Sequence, residues 1–368
     1  MRADAMITSA RGNLLSADVD ALVNTVNTVG IMGKGLALQF KRAYPEMFKA
    51  YERACKAGDV NLGHMHVWET RSLQGPRFII NFPTKRHWKS QSRISDIEAG
   101  LDDLAHVIRD NGIRSIAIPP LGCGHGGLDW RDVEPRIVAA MAPLADDVDI
   151  RLYPPERAPT AREMVTRTPQ PRLTHARAAL LAMMVTYRER TLDDPSLVVV
   201  QKLMYLLQTA GEPLKLTYTR GLYGPDADNL RKTLRDMEGH YIDGFGGGST
   251  AVAQAEPLSV RPEAAEAAEL ELARHPDTGR RVDDVLELIE GFESPYGLEL
   301  LANVHWVAGE NQAAREELDV AIQMVRQWTA RKARLFTEEH VAAAWERLRV
   351  AGWLTGDAVI ARAGAARV

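Results

Sequence analysis

The stretch Asn24-Thr25-Val26-Asn27-Thr28-Val29-Gly30-Ile31-Met32-Gly33-Lys34-Gly35-Leu36-Ala37-Leu38-Gln39-Phe40-Lys41 leaves a chain few ways to fold. An apolar run, Ala21-Leu22-Val23, leads into it and closes on two asparagines; three glycines follow, and then apolar residues return at helical spacing. That order reads as a buried strand, a close-approach turn and a helix start. Glycines let backbone come near a ligand, and the unpaired N–H groups of a helix start attract negative charge. The glycine spacing matches neither G-x-x-x-x-G-K-[ST] nor G-x-G-x-x-G, so neither ATP nor NAD is indicated.

A second stretch, Pro119-Pro120-Leu121-Gly122-Cys123-Gly124-His125-Gly126-Gly127-Leu128-Asp129-Trp130, repeats the design after the apolar run Ser115–Ile118. Two such loops can grip a diphosphate from both sides. Between and around them, short apolar runs alternate with helical periods, the pattern of an α/β layer fold. The expected strands are Met6–Thr8, Ala21–Val26, His66–Trp68, Phe78–Phe82, Ser115–Ile118 and Asp149–Leu152, and the expected helices Gly35–Tyr44, Pro45–Ala57, Ile94–Asn111 and Trp130–Ala142. Ser95 is the expected N-cap of the third helix, with Glu98 completing a capping box.

With 368 residues the chain is long enough for two domains, and the seam is visible in the composition. Between Tyr153 and Pro171 five prolines are interleaved with arginines and threonines, which suits a linker over 156–172 rather than a helix or a central strand. From residue 173 to 368 the pattern is mainly helical: Thr174–Arg190, Ser196–Ala210, Leu230–Met237, Pro262–Arg274, Arg280–Ile289, Leu298–Gly309, Ala313–Ala330 and Thr337–Ala351. A small β element is expected at Leu214–Tyr218, before a turn over Gly221–Asp226, and Gly244–Thr250 reads as a loop. The formal net charge of −4 argues against a general nucleic-acid binder while leaving room for local patches. Cys55 and Cys123 make no disulfide framework, and Met1–Ile7 lacks the apolar core of a signal peptide, so a cytoplasmic protein with no membrane partner is expected.

Chemistry enters with a third stretch, Asn81-Phe82-Pro83-Thr84-Lys85-Arg86-His87-Trp88-Lys89. Ligands of α/β sheets sit beyond the carboxyl ends of strands, and this segment leaves such an end, so Lys85 is expected to face the crevice of the two glycine loops. Taken together, the three stretches resemble a macrodomain, the fold that binds ADP-ribose, over residues 1–155. The resemblance implies a three-layer α/β/α domain with a mixed sheet. It is nearest to the antitoxin branch, which implies removal of ADP-ribose from thymidine bases of DNA by N-glycosidic hydrolysis, with no cofactor. For the helical domain it implies a binding partner, a DNA ADP-ribosyltransferase toxin held inactive.

Residue roles follow from the same resemblance. Lysine-dependent relatives place a lysine where Lys85 stands and an aspartate where Gly126 stands; the nearest acid is Asp129, at a helix start where the macrodipole also favours it. His125 and His87 are further candidates for the proton. A lysine that attacks a sugar carbon must be partly deprotonated near neutral pH, through burial or through cations such as Lys34, Arg86 and Lys89. Asn13 stands where many macrodomains read the adenine amino group; Asn24 and Asn27 are expected at the distal ribose, and Gly33, Lys34, Gly35, Gly122, Cys123, Gly124, His125, Gly126 and Gly127 at the diphosphate. Thr84 and His87, near the lysine, are further expected substrate contacts, Cys123 is expected to fill space, and Trp88 and Trp130 are candidate walls. Two other readings compete: a non-catalytic reader of ADP-ribosylated DNA or nucleotide, and a DNA-binding regulator built on Thr337–Trp353. No metal-ligand spacing is present around His240, His305 or His340. The acidic stretch Glu256–Asp319 is a solvated face or, alternatively, a stand-in for DNA phosphates in the toxin's groove.

Overall fold

The computed structural model describes residues 7–72, 74–155, 164–245 and 256–354. Met6 and residues 246–250 of the expected glycine loop lie outside these, as do residues 156–163 of the expected linker. The chain divides into two compact units, Met1–Pro169 and Gln170–Val368.

The first unit is built on strands β1 (Ile7–Ser9), β2 (Ala21–Asn27), β3 (His66–Glu69), β4 (Phe78–Lys85), β5 (Ser115–Ile118) and β6 (Asp149–Leu152), in the spatial order β1-β6-β5-β2-β4-β3. All neighbours are parallel except β3, which runs antiparallel to β4, so the sheet is mixed. Helices α1 (Gly35–Ala43) and α2 (Pro45–Ala57) cover one face, burying Phe40, Met47 and Tyr51 with Leu22, Val26 and Ile79. Helices α3 (Ile94–Asp110) and α4 (Trp130–Met141) cover the other, burying Ile97, Leu101, Leu104 and Ile137 with Val23, Ile80, Phe82 and Ile116. Cover on both faces is why β2 and β4 read as nearly unbroken apolar runs rather than alternating ones.

Two details depart from expectation. Helix α3 starts two residues earlier than a Ser95 cap requires: Arg93 occupies the cap without a side-chain bond, and Glu98 is turned to Arg136 of α4 at 2.8 Å. Strand β4 continues through Pro83 and Thr84 to Lys85, three residues beyond the expected end. Pro83 ordinarily ends a strand by lacking an N–H; here it pairs with Val26 just where the register with β2 shifts.

The second unit carries helices α5 (His175–Thr191), α6 (Leu197–Thr209), α7 (Asp228–Met237), α8 (Pro262–Ala273), α9 (Pro276–Leu288), α10 (Pro295–Glu310), α11 (Gln312–Glu316), α12 (Leu318–Gln327), α13 (Ala330–Leu335) and α14 (Glu338–Val350). Thr174, Ser196, Ser294, Thr329 and Thr337 each cap a helix through a side-chain oxygen. The β element is a hairpin, β7 (Tyr218–Gly221) with β8 (Gly224–Ala227), plus a two-residue pair, β9 (Ile242–Asp243) with β10 (Ser259–Val260). The hairpin begins where the expected strand ends. Lys215 has a left-handed φ of 56°, and Leu216 is bracketed by the Gln208 side-chain amide at 2.8 and 3.0 Å instead of by a strand. The single helix expected over Ala313–Ala330 is interrupted at the extended residue Glu317 and again at the Thr329 cap.

Candidate functional site

The carboxyl ends of β2, β4 and β5 lie side by side, and the three singled-out stretches leave from them. Beyond β2, helix α1 starts with Lys34 at its cap position and no side-chain cap bond, so its first N–H groups point outward unclaimed by side chains. Gly35 there has φ +57°, a left-handed value that a side chain resists. Across from it lies the second loop: a Cβ placed on Gly35 would stand 3.7 Å from the His125 ring. The two glycine loops therefore face each other across a gap that one imidazole spans, a geometry suited to an anion held from two sides.

Lys85 joins them. The register shift at Val26/Asn27 leaves Thr84 without a partner on β2 and sets Lys85 opposite Asn27. A bulge of this kind re-aims the side chains that follow it. The Lys85 amine donates to the His125 carbonyl at 2.9 Å, which ties the end of β4 to the second loop. Burial lowers the Lys85 pKa from the ordinary lysine value; no contribution comes from the expected cations Lys34, Arg86 and Lys89. An amine so placed is nearer to being a nucleophile at neutral pH than a solvated lysine is.

Several of the expected contact residues hydrogen-bond within the protein. Asn24 is fully buried and donates to Asn81 Oδ1 at 2.8 Å, while its own Oδ1 has no hydrogen-bond partner. Asn27 braces the glycine loop: its amide donates to the Ile31 carbonyl at 2.6 Å and accepts from Val29 N at 3.0 Å, and Tyr51 OH donates to its carbonyl. Thr84 is buried, its hydroxyl donating to the Val26 carbonyl at 3.3 Å. Asn13 accepts from Leu15 N at 3.0 Å as the cap of a short 3-10 turn. These side chains shape the loops, and Gly33, Lys34, Gly35, Gly124 and Gly127 are exposed on them.

Gly126 explains the missing aspartate. A Cβ there would lie 2.3 Å from both the Gly122 carbonyl and Ser92 Oγ, so no side chain fits. Ser92, which sequence reasoning passed over, is buried and holds the loop through its N–H to the Gly126 carbonyl at 2.9 Å. Asp129 is the N-cap of α4, accepting from Arg131 N at 2.9 Å. Burial, with Asp129 adding to it, pushes the Cys123 thiol up to about 11, and its side chain packs on the core; it is a space-filling thiol at neutral pH. Trp130 packs on the same core, whereas Trp88 is 44% exposed and is no wall. Asn81, also missed, ties Asn24 to Met47 and His66; an asparagine within an apolar strand was the available signal. Among the described residues no cluster of three or more metal-ligating side chains occurs, and no helix is long and apolar enough to cross a membrane.

A mixed six-stranded sheet between two helix layers, with two facing glycine loops and an uncapped helix start at the strand ends, defines a macrodomain, and the family described as Macro domain matches residues 23–137. The chain belongs to the DNA ADP-ribosyl glycohydrolases: it is 47% identical over 354 residues to the DNA ADP-ribosyl glycohydrolase of Mycobacterium tuberculosis, covering 93% of this chain and 99% of that one. A DNA ADP-ribosyl transferase–DNA ADP-ribosyl glycohydrolase fusion protein of Thermosipho africanus is 34% identical over 163 residues, 40% of this chain and 42% of the fusion. Among solved structures, the macrodomain of Mycobacterium tuberculosis DarG is 61% identical, covers 41% of this chain and 99% of its own, and gives a TM-score of 0.41.

Proposed function

We propose that this chain is an antitoxin of the DarG type that hydrolyses the N-glycosidic bond between ADP-ribose and a thymidine base of DNA, with Lys85 acting at the anomeric carbon. The observation that carries this reading is the Lys85 amine, lowered in pKa by burial and set 2.9 Å from the second glycine loop. With the diphosphate between the loops, the ribose whose bond is cut lies toward that amine. Attack forms a C–N bond as the bond to the base breaks, and the electron pair leaves with the base nitrogen, which takes a proton. Opening of the sugar ring gives a Schiff base, and water then releases free ADP-ribose and restores the amine. Asp129, His125 and His87 are the candidates to supply that proton.

The reader alternative loses ground to the kinship with named glycohydrolases, whose similarity spans both units rather than the macrodomain alone. The second unit is read as the holder of the cognate DarT transferase. Support for a pairing with a transferase comes from the Thermosipho africanus relative, a DNA ADP-ribosyl transferase–DNA ADP-ribosyl glycohydrolase fusion protein that matches 40% of this chain.

Incubation with a single-stranded oligonucleotide carrying one ADP-ribosylated thymidine tests the first half: wild type releases free ADP-ribose. Absence of release by wild type removes the enzyme reading. The antitoxin half is tested by co-expressing the neighbouring transferase with the full chain and isolating the complex; failure to co-purify removes it.

A further inference from the structure

Past Lys85, β4 runs into a segment that the cleft does not use. Residues 86–93 carry Arg86, His87, Lys89 and Arg93 and no acid, in a chain whose net charge is −4. All of these, with Trp88 between them, are exposed. The Trp88 and His87 rings lie side by side, 5.3 Å between centroids and tilted by 33°, and the Lys89 amine sits 4.8 Å over the indole. The pair is fixed beside the glycine loop, because the Thr28 N–H and hydroxyl both donate to the Arg86 carbonyl, at 3.2 and 2.9 Å. Val29 and Ile31, each 45% exposed, lie on that same loop. An indole left in water beside cations, on a backbone pinned at the mouth of a cleft, has no folding rationale in the first unit's core.

We propose that Trp88 and His87 form a stacking platform for an unpaired base next to the modified thymidine, with Arg86, Lys89 and Arg93 taking the flanking phosphates. The inference rests on the reading of the cleft as a site for ADP-ribosylated DNA, and adds how the strand beside the modified base is held. Aromatic faces interleaved with cations are how proteins hold single strands without reading their sequence, since every base has a π-face and every linkage a charge. A base within a duplex has both faces covered by its neighbours and cannot use such a platform. Trp88 lies three positions beyond Lys85, a chain span of at most about 11 Å, so the stacked base is a near neighbour of the nucleotide at the lysine.

The test uses the full chain, wild type and Trp88→Ala, on two substrates: ADP-ribosylated thymidine mononucleoside and a single-stranded oligonucleotide containing it. Trp88→Ala is expected to raise KM for the oligonucleotide roughly tenfold and to leave the mononucleoside unchanged, with Trp88→Phe restoring most of the loss. Equal losses on both substrates, or none on either, overturn the proposal. Should wild type cleave neither substrate, the functional reading has failed and direct binding decides this one. Fluorescence anisotropy with an unmodified labelled single strand is then expected to show about tenfold weaker binding by Trp88→Ala and weaker binding of the matching duplex by wild type. Equal affinity of wild type and variant for the single strand overturns it.

Discussion

Lys85 and Lys202 are both lowered in pKa by burial, yet they sit in opposite surroundings. Lys85 is half-buried at a strand end, bonded to a loop carbonyl, beside exposed glycines. Lys202 is 1% exposed within α6; its amine donates to the Pro225 carbonyl at 2.6 Å, next to Gln201, whose amide brackets the backbone of Ala227 at 3.0 Å on each side. The second helix of this unit thus holds the β7–β8 hairpin through two consecutive side chains. A depressed lysine pKa is accordingly no mark of a reactive site by itself; access of a ligand to the amine separates the two. The same contrast runs through the two units. Charges of the first unit's cleft open outward, whereas those of the second pair among themselves in the interior, as Glu299 does with Arg331 and Lys332 at 2.8 and 2.7 Å.

The contrast breaks most sharply under substitution of the two lysines. Lys85→Met is expected to lower kcat for ADP-ribose release by about 10³-fold or more without moving the unfolding midpoint, whereas Lys202→Met leaves release unchanged. Identical effects of the two variants on kcat would erase the distinction. Stability and pH sharpen it. Burial puts Lys202 at about 7 in the folded state, against roughly 10.4 when unfolded. Between those values the unfolded chain binds the extra proton, so stability of the second unit rises as pH rises from 7 to 10, by on the order of 4 kcal/mol. Lys202→Met flattens that rise, which denaturation at a series of pH values reads directly. For Lys85 the same sign acts on rate: kcat/KM climbs with pH and levels off below the ordinary lysine value of about 10.4, and a pH-independent profile would remove the amine from the mechanism.

Glu299→Gln leaves Lys332, fully buried, without its counter-charge, and is expected to cost the second unit about 3–5 kcal/mol. Burial alone would raise the Glu299 pKa; hydrogen bonds from Arg331 and Lys332 outweigh it and hold the carboxyl below the usual range. Calorimetry that showed the first unit's transition falling instead would misplace the charge cluster. Smallest is the effect at Asp129. Asp129→Ala removes a cap and should cost about 1 kcal/mol, Asp129→Asn only a few tenths. Loss of release by Asp129→Asn with stability kept would make the carboxylate the proton source, and full activity would confine it to capping.

How much of this was legible in the sequence differs by residue. The strand–glycine–helix stretches were readable because sheet burial on both faces forces apolar runs, and close approach forces glycine. Lys85 was readable as cleft-facing, but not as a strand residue, since Pro83 argues against a strand and only pairing with β2 overrides it. The bracing role of Asn27 within its own loop was not legible, because an amide that braces its loop and one that reaches a ligand look alike in one dimension. Gly126 read as an absent acid; only the distances to Gly122 and Ser92 reveal that the position has no volume to fill. Helix breaks at Glu317 and Thr329 escaped because neither carries glycine or proline, and tertiary contacts such as that of Lys332 with Glu299 favour the bend.

The unpartnered Thr84 has a further consequence for protein engineering. Deleting that single residue would keep the composition of the cleft nearly intact while removing the bulge that aims the amine at the second glycine loop. The site is thus encoded in chain length between Phe82 and Lys85 as much as in side-chain identity, and homologous sequences aligned across that interval must be matched for spacing before any lysine in it is counted as equivalent.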